Sequence, residues 1–323
     1  EFRHYLGEHP RLVPYTSILE RKTVVDSQDV FHLYGGGYLN SVWGGEFSKL
    51  LQVFAQRKAK VISTGTQIDR TWARNYRDDL RDVANVHWLS VRDKYSRKYL
   101  NTHRPLLCDD SFLYFLDSGR QPPSQSAKPK HILAHFNISD YAVKHFSDRR
   151  QPKFYKVLDK LKGRKELTSE IFEDFVRNYL RQGYQITILR NFPNMPDDVI
   201  EAERVFANRD LLLKIKLKET FAAEQEGSTY QFGIANSFHA AILIKVWFNT
   251  PVYFLALNNY YEQKSAALLE YGVVDKKHLI TSMNQLSRFS VSEAELTENK
   301  EVLRRMSKRV EALKRAVLEV VNT

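Results

Sequence analysis

Short apolar runs alternate with amphipathic stretches along most of this chain, and that alternation narrows its architecture more than any other feature. VFHLY (30–34), VISTG (61–65) and VHWLSV (86–91) are separated by helical periods over 46–57 and near 69–83. Buried strands that alternate with helices make a parallel sheet covered by helices. After a break the same alternation resumes. HILAHF (131–136), a helix over 169–181, QITILR (185–190), a helix near 197–208, LLLKIKL (211–217), FGIA (232–235) and PVYFLAL (251–257) follow in order.

The break is chemical as well as periodic. Residues 117–130, DSGRQPPSQSAKPK, hold three prolines and three serines and nothing aliphatic larger than alanine, which suits a linker and not a core. The expected fold class is therefore α/β, with two Rossmann-like domains facing across a cleft in a GT-B-like arrangement and a long C-terminal helix. Domain bounds follow at 1–120, the expected acceptor side, and 121–291, the expected donor side, with 292–323 as an amphipathic helix packing on the body. In that helix Leu303, Met306, Val310, Leu313, Val317 and Val321 recur every three or four residues, with Arg304, Arg305, Lys308, Arg309, Lys314 and Arg315 between them. Against an acidic membrane surface the same cations would give a peripheral contact.

Composition bounds the partners. With 323 residues, 43% of them hydrophobic, the chain can bury a large core. Its net charge of +11 favours anionic partners. No zinc-finger spacing, RNP segment or basic tract is present, so nucleic acid is not expected. A single cysteine, Cys108, excludes an internal disulfide and suits a reducing compartment. No signal-like segment opens the sequence and no apolar run is long enough to span a bilayer. The expected location is cytoplasmic, with peripheral contact at the inner membrane face as its extension.

Candidate sites cluster where predicted strands end, the edge at which parallel sheets bind ligands. Gly35, Gly36 and Gly37 follow the first strand and read either as a turn that a ligand can approach or as a tight strand-to-helix connection; Asn40 lies just beyond. Thr64-Gly65-Thr66-Gln67 follows the next strand, with Thr66 and Gln67 suited to sugar hydroxyls or to a helix N-cap. Arg92 ends the third strand and reads either as a fork for a carboxylate or phosphate or as half of a structural pair with Asp93. In the second half Asn236, Ser237, Phe238 and His239 open a helix that is apolar nearly all round. His131 and His135 share a strand face with no third ligand in view, so no metal and no cofactor is expected.

Taken in order, several of these segments resemble the polysaccharide pyruvyl transferase family. The matching elements are Gly35-Gly36-Gly37, Val91-Arg92-Asp93 with Ser96, Asp109 with Phe112, Asn236 through Ile242, Asn249-Thr250-Pro251, and Tyr261 with Lys264. The resemblance implies transfer of the pyruvyl group of phosphoenolpyruvate, as co-substrate, onto two hydroxyls of a sugar in a cell-surface or exopolysaccharide precursor. A sugar or lipid-linked oligosaccharide would be the acceptor. It implies donor binding by His239 and Arg92 with support from Lys264; Ser237, Phe238 and Asn137 are the further expected donor contacts, and His239, if protonated, is the expected catalytic general acid for the methylene carbon. It also implies a cleft wall formed by the Gly35-Gly36-Gly37 turn, beside which Asn40, Thr66 and Gln67 are the expected acceptor or cleft-loop residues. Two positions depart from the family pattern, since Ser237 and Asn137 stand where arginines are expected. Loss of arginines that grip a compact dianion suits the alternative, a GT-B-like glycosyltransferase with a nucleotide-sugar donor in polysaccharide biosynthesis. Asp69, Asp93 and Asp109 are the candidates for the acceptor base.

Overall fold

The computed structural model describes residues 11, 13–33, 36–40, 44–69, 86–100, 105–117, 130–136, 169–190, 215–219, 230–257, 259–287 and 299–322. Gly35, Asn137 and the helices expected near 69–83 and 197–208 lie outside these residues, apart from Asp69. The chain is α/β and divides into two compact units, Glu1–Arg120 with Leu303–Thr323, and Gln121–Val302.

The first unit is built on a four-stranded parallel sheet. Helix α1 (Tyr15–Leu19) precedes strands β1 (Val30–Leu33) and β2 (Gly36–Leu39), helix α2 (Gly44–Arg57) and the nine-residue strand β3 (Lys60–Ile68). Strand β4 (Trp88–Val91) and helices α3 (Lys94–Leu100) and α4 (Ser111–Asp117) follow. In α2 the buried residues Phe47, Leu50, Leu51 and Phe54 recur at helical spacing, and Phe54 stacks on Phe31 of β1 with ring centroids 4.3 Å apart. That apolar stripe pins α2 to the sheet.

The register of β3 corrects the expected glycine turn. Val30 pairs with Lys60 and Leu33 with Ser63, while Gly36 pairs with Thr66. β1 and β2 thus lie along one edge of β3, with the same offset at Gly36 and a register shift between Gly36 and Leu39, and β4 occupies the other edge. Gly36 and Gly37 extend an interrupted strand. Thr66 and Gln67 likewise belong to β3 and form no loop after it. Within β3, Gly65 takes φ +58°, and the register with β4 shifts between Ser63 and Thr66, as at a bulge.

The second unit carries a six-stranded parallel sheet of β5 (His131–His135), β6 (Gln185–Arg190), β7 (Ile215–Glu219), β8 (Phe232–Ala235), β9 (Val252–Leu255) and β10 (Leu279–Ile280). Their order in space is β10-β9-β8-β5-β6-β7. Read from β7, it is the doubly wound order 3-2-1-4-5-6, in which the winding reverses between the first and fourth strands. Helix α5 (Ser169–Arg181) connects toward β6, and Phe172, Phe175, Val176 and Tyr179 on its buried face pack with Ile132, Ile186 and Phe232 of the sheet. Helix α6 (Phe238–Ile242) follows β8, α7 (Asn259–Tyr271) follows β9, and α8 (Met283–Ser287) follows β10.

The expected single helix over 238–248 is two turns of different pitch. α6 runs straight into a π-helical turn, Leu243–Trp247, that places Ile244 against Gly233 of β8. A Cβ on Gly233 would collide with the Ile244 side chain and approach the Leu133 carbonyl oxygen to 3.3 Å. The long final helix α9 is Asn299–Asn322, and its Leu303–Asn322 portion belongs to the first unit. Val302, Met306, Val310, Leu313 and Val317 are its buried stripe, and Arg309 donates to the Leu107 carbonyl at 3.0 Å.

Candidate functional site

In a doubly wound sheet the connections after the two strands at the reversal leave in opposite directions, which opens a crevice at their carboxyl ends. In the second unit those strands are β5 and β8. Their ends are joined by the backbone of Asn236, whose N–H donates to the His135 carbonyl at 3.3 Å. Asn236 is buried, Ser237 is half-buried with extended backbone before α6, and His239 is exposed in the first turn. The sequence-predicted trio Asn236, Ser237 and His239 therefore stands beside the reversal point. Asn137, assigned to the same edge two residues after β5, lies outside the described residues.

Phe238 does not join them. It is 1% exposed, and its ring faces Tyr271 of α7 with centroids 6.2 Å apart, so it anchors α6 in the core and does not contact a donor. Lys264 lies on α7, half-buried, with its Nζ 5.8 Å from the centre of the Tyr261 ring. At that distance the ring face attracts the ammonium group.

His135 itself is buried, and its Nδ1 is 2.8 Å from the Leu189 carbonyl, which requires the ring to donate from Nδ1. Burial pulls its pKa down to about 4, against a smaller opposing effect of that hydrogen bond. It is a neutral structural imidazole at pH 7. His131 is bonded to Thr187 Oγ1 at 2.8 Å and tilts against the Tyr230 ring. Among the described residues no group of three or more His, Cys, Asp or Glu could hold a metal ion.

The carboxyl edge of the first sheet is built differently, as a buried polar network. Arg92 is 1% exposed, forms an ion pair with Asp109 at 2.7 Å and donates a second hydrogen bond to Gln67 Oε1. The same Asp109 accepts from the Ser111 N–H and hydroxyl at the start of α4. Asp93 caps α3 by accepting from the Ser96 N–H at 2.7 Å and the Ser96 hydroxyl at 2.9 Å. Ser96 Oγ in turn accepts from the Ile68 N–H. Arg92, read as a donor ligand or as a partner of Asp93, is instead the internal partner of Asp109 and Gln67. Gln67 and Thr66 are 6% and 1% exposed, and the hydroxyls of Thr66 and Ser63 meet at 2.8 Å. Neither is presented to a sugar. Asn40 is also buried, with its carbonyl accepting from the Gly44 N–H at the start of α2.

One further chain of groups escaped sequence reasoning. Thr64 Oγ1 donates to Asp110 at 2.7 Å, so it must accept from His32 Nε2, also at 2.7 Å. Gly65 makes this approach feasible, since a Cβ there would come within 3.3 Å of Asp110. Burial lowers the His32 pKa to about 4. Asp110 and His32 are 78 positions apart in sequence, and no local pattern joins them.

No family model matches the chain. No curated protein matches it either. Among solved structures it is similar to TarM, at a TM-score of 0.49 and 12% identity over 96% of this chain and 58% of the TarM chain. It is also similar to a point variant of S. aureus TarM in complex with fondaparinux, α-GlcNAc-glycerol and UDP, at a TM-score of 0.45 and 13% identity over 94% of this chain and 57% of that one. The chain thus spans less than two thirds of the length of the structures it matches. No helix among the described residues is long and apolar enough to cross a membrane.

Proposed function

We propose that this chain is a glycosyltransferase of polysaccharide assembly that takes a nucleotide-sugar donor on its second unit and transfers the sugar to a carbohydrate acceptor. The observation that carries the reading is the 3-2-1-4-5-6 strand order, whose reversal between β5 and β8 is where folds of this winding receive nucleotides. Ser237 and His239 flank that point, and His239 is the exposed group that would meet the donor. Its imidazole can contact a phosphate or a sugar hydroxyl through either nitrogen.

Pyruvyl transfer from phosphoenolpyruvate is the competing reading, favoured by the shared order of motifs from Gly35 to Lys264. It calls on Arg92 to grip a carboxylate or phosphate, and that guanidinium is enclosed by Asp109 and Gln67. A donor bound through Arg92 would have to break a buried ion pair, which costs several kcal/mol, about 3–5 for loss of one partner. A nucleotide-sugar donor makes no such demand.

Thermal melts separate the two. A ligand that binds only the native protein raises the melting temperature, by an amount set by its concentration over Kd. UDP-, GDP- or dTDP-sugars are expected to shift the melt where phosphoenolpyruvate does not, and His239→Ala should abolish that shift. A shift with phosphoenolpyruvate alone overturns the proposal in favour of pyruvyl transfer.

A further inference from the structure

Helix α3 of the first unit carries a surface that the proposed reaction leaves unexplained. Helix α3 reads Lys94-Tyr95-Ser96-Arg97-Lys98-Tyr99-Leu100, with three cations and no acid. Lys94, Arg97 and Lys98 are exposed, and Tyr95 stands out beside them at 48% exposure. Tyr95 is one of three large hydrophobic residues exposed among the described residues, with Tyr15 and Val24. The acid next to this group, Asp93, is 2% exposed and committed to Ser96, so it does not neutralise the surface.

The helix is held rigidly from below. Ser96 is fully buried and accepts from the Ile68 N–H while its hydroxyl donates to Asp93, which ties α3 to both β3 and its own N-terminus. Tyr95, Arg97 and Lys98 are therefore displayed outward by a fixed support. Three cations around one exposed phenol match the two layers of a bilayer surface, in which phosphates meet ammonium and guanidinium groups while an aromatic ring with a polar tip rests at headgroup depth. A grooved nucleic-acid site would instead stack bases on aromatic faces within a basic cleft.

We propose that the exposed face of α3 docks the protein on a membrane surface rich in anionic phospholipid. This inference does not depend on which donor the second unit binds. Docking through α3 also differs from the peripheral contact expected of α9, where exposed Arg304, Arg305, Lys308 and Arg315 share their face with exposed Glu301, Glu311 and Glu319.

Sedimentation with vesicles of phosphatidylcholine and phosphatidylglycerol tests it. The full chain should co-sediment with mixed vesicles at low salt, remain in solution with phosphatidylcholine alone, and be released as salt shortens the Debye length to about 3 Å near 1 M. Lys94→Gln/Arg97→Gln/Lys98→Gln should lower partitioning roughly a hundredfold, at about fivefold per cation. Tyr95→Ala should weaken it further, and the thermal melt of each variant should stay that of the parent. Arg304→Gln/Arg305→Gln/Lys308→Gln removes the same charge from α9 and should weaken binding much less. Equal losses from the two triple variants, or equal binding to neutral vesicles, overturn the proposal. So does salt-sensitive retention of an RNA oligonucleotide that survives in the mixed-vesicle-binding parent but vanishes in the α3 variant while vesicle binding is unchanged.

Discussion

At the carboxyl end of the first sheet, polar side chains are bonded to one another; at the same end of the second, they stand at a reversal of winding with His239 facing solvent. Arg92, Asp109, Gln67, Thr66, Ser63, Thr64 and Asp110 all belong to the first group, and each is nearly or fully buried. A parallel sheet concentrates functional groups at this edge whatever their task, because every strand delivers its next residues there. The two units teach that the task is decided by partners. Where carboxylate, guanidinium and hydroxyl groups bond one another inside the fold the edge is a structural clamp, and where a helix opens with an exposed imidazole the edge is the candidate for a ligand.

Mutations that attack the clamp should damage folding most. Arg92→Ala leaves the Asp109 carboxylate buried without its guanidinium and is expected to cost about 3–5 kcal/mol, measured by urea unfolding. The paired replacement Arg92→Met/Asp109→Leu should recover much of that loss. A stable Arg92→Ala protein that fails only in donor binding would break the comparison and return Arg92 to the ligand. Gly233→Ala comes next, because its methyl group meets Ile244 and the Leu133 carbonyl, and overpacking of this kind costs about 1–3 kcal/mol.

Acid should act on both units. His32 and His135 each have a folded pKa near 4 against about 6.5 when unfolded, so between these values the unfolded chain binds more protons. Stability is at its full value above pH 6.5 and falls as pH drops toward 4. The loss should reach about 2 kcal/mol per histidine by pH 5, and His135→Gln should flatten the profile. A stability curve without a decline over that window would show that neither ring is held neutral by the fold. The smallest effect on stability is expected at exposed His239. His239→Ala should change unfolding by less than about 0.5 kcal/mol while abolishing the melt shift with nucleotide sugars, which would sharpen the contrast between an available edge and a clamped one.

The strand and helix pattern of both units is legible in sequence because burial imposes a period. Strands β5, β6 and β8 and helix α5 fall where their apolar spacing puts them, and Phe172, Phe175, Val176 and Tyr179 can be read as one face before any contact is known. What escapes local reading is pairing. Gly35-Gly36-Gly37 lacks side chains and so reads as a turn, yet a neighbouring strand thirty positions on supplies the ladder that keeps Gly36–Leu39 extended. Arg92 has an acid beside it at Asp93, but the Ser96 hydroxyl and N–H claim that acid, and the arginine turns to Asp109. Gly233 shows the same limit. Its need to be glycine arises from Ile244 on a π-helical turn, a pitch that the apolar run over 238–248 does not announce.

The first unit is discontinuous in the chain, and this sets a timetable for its assembly. Arg309 grips the Leu107 carbonyl across 202 positions, and the stripe from Met306 to Val317 joins a unit whose other strands are synthesised first. Such long-range closure carries a large loop entropy and comes late in folding. A nascent chain must therefore carry an unfinished first unit through the synthesis of the entire second unit. During that interval the part of the first unit that α9 completes is exposed to chaperones and proteases, and a ribosome that stalls before residue 303 strands the part of the protein it made first.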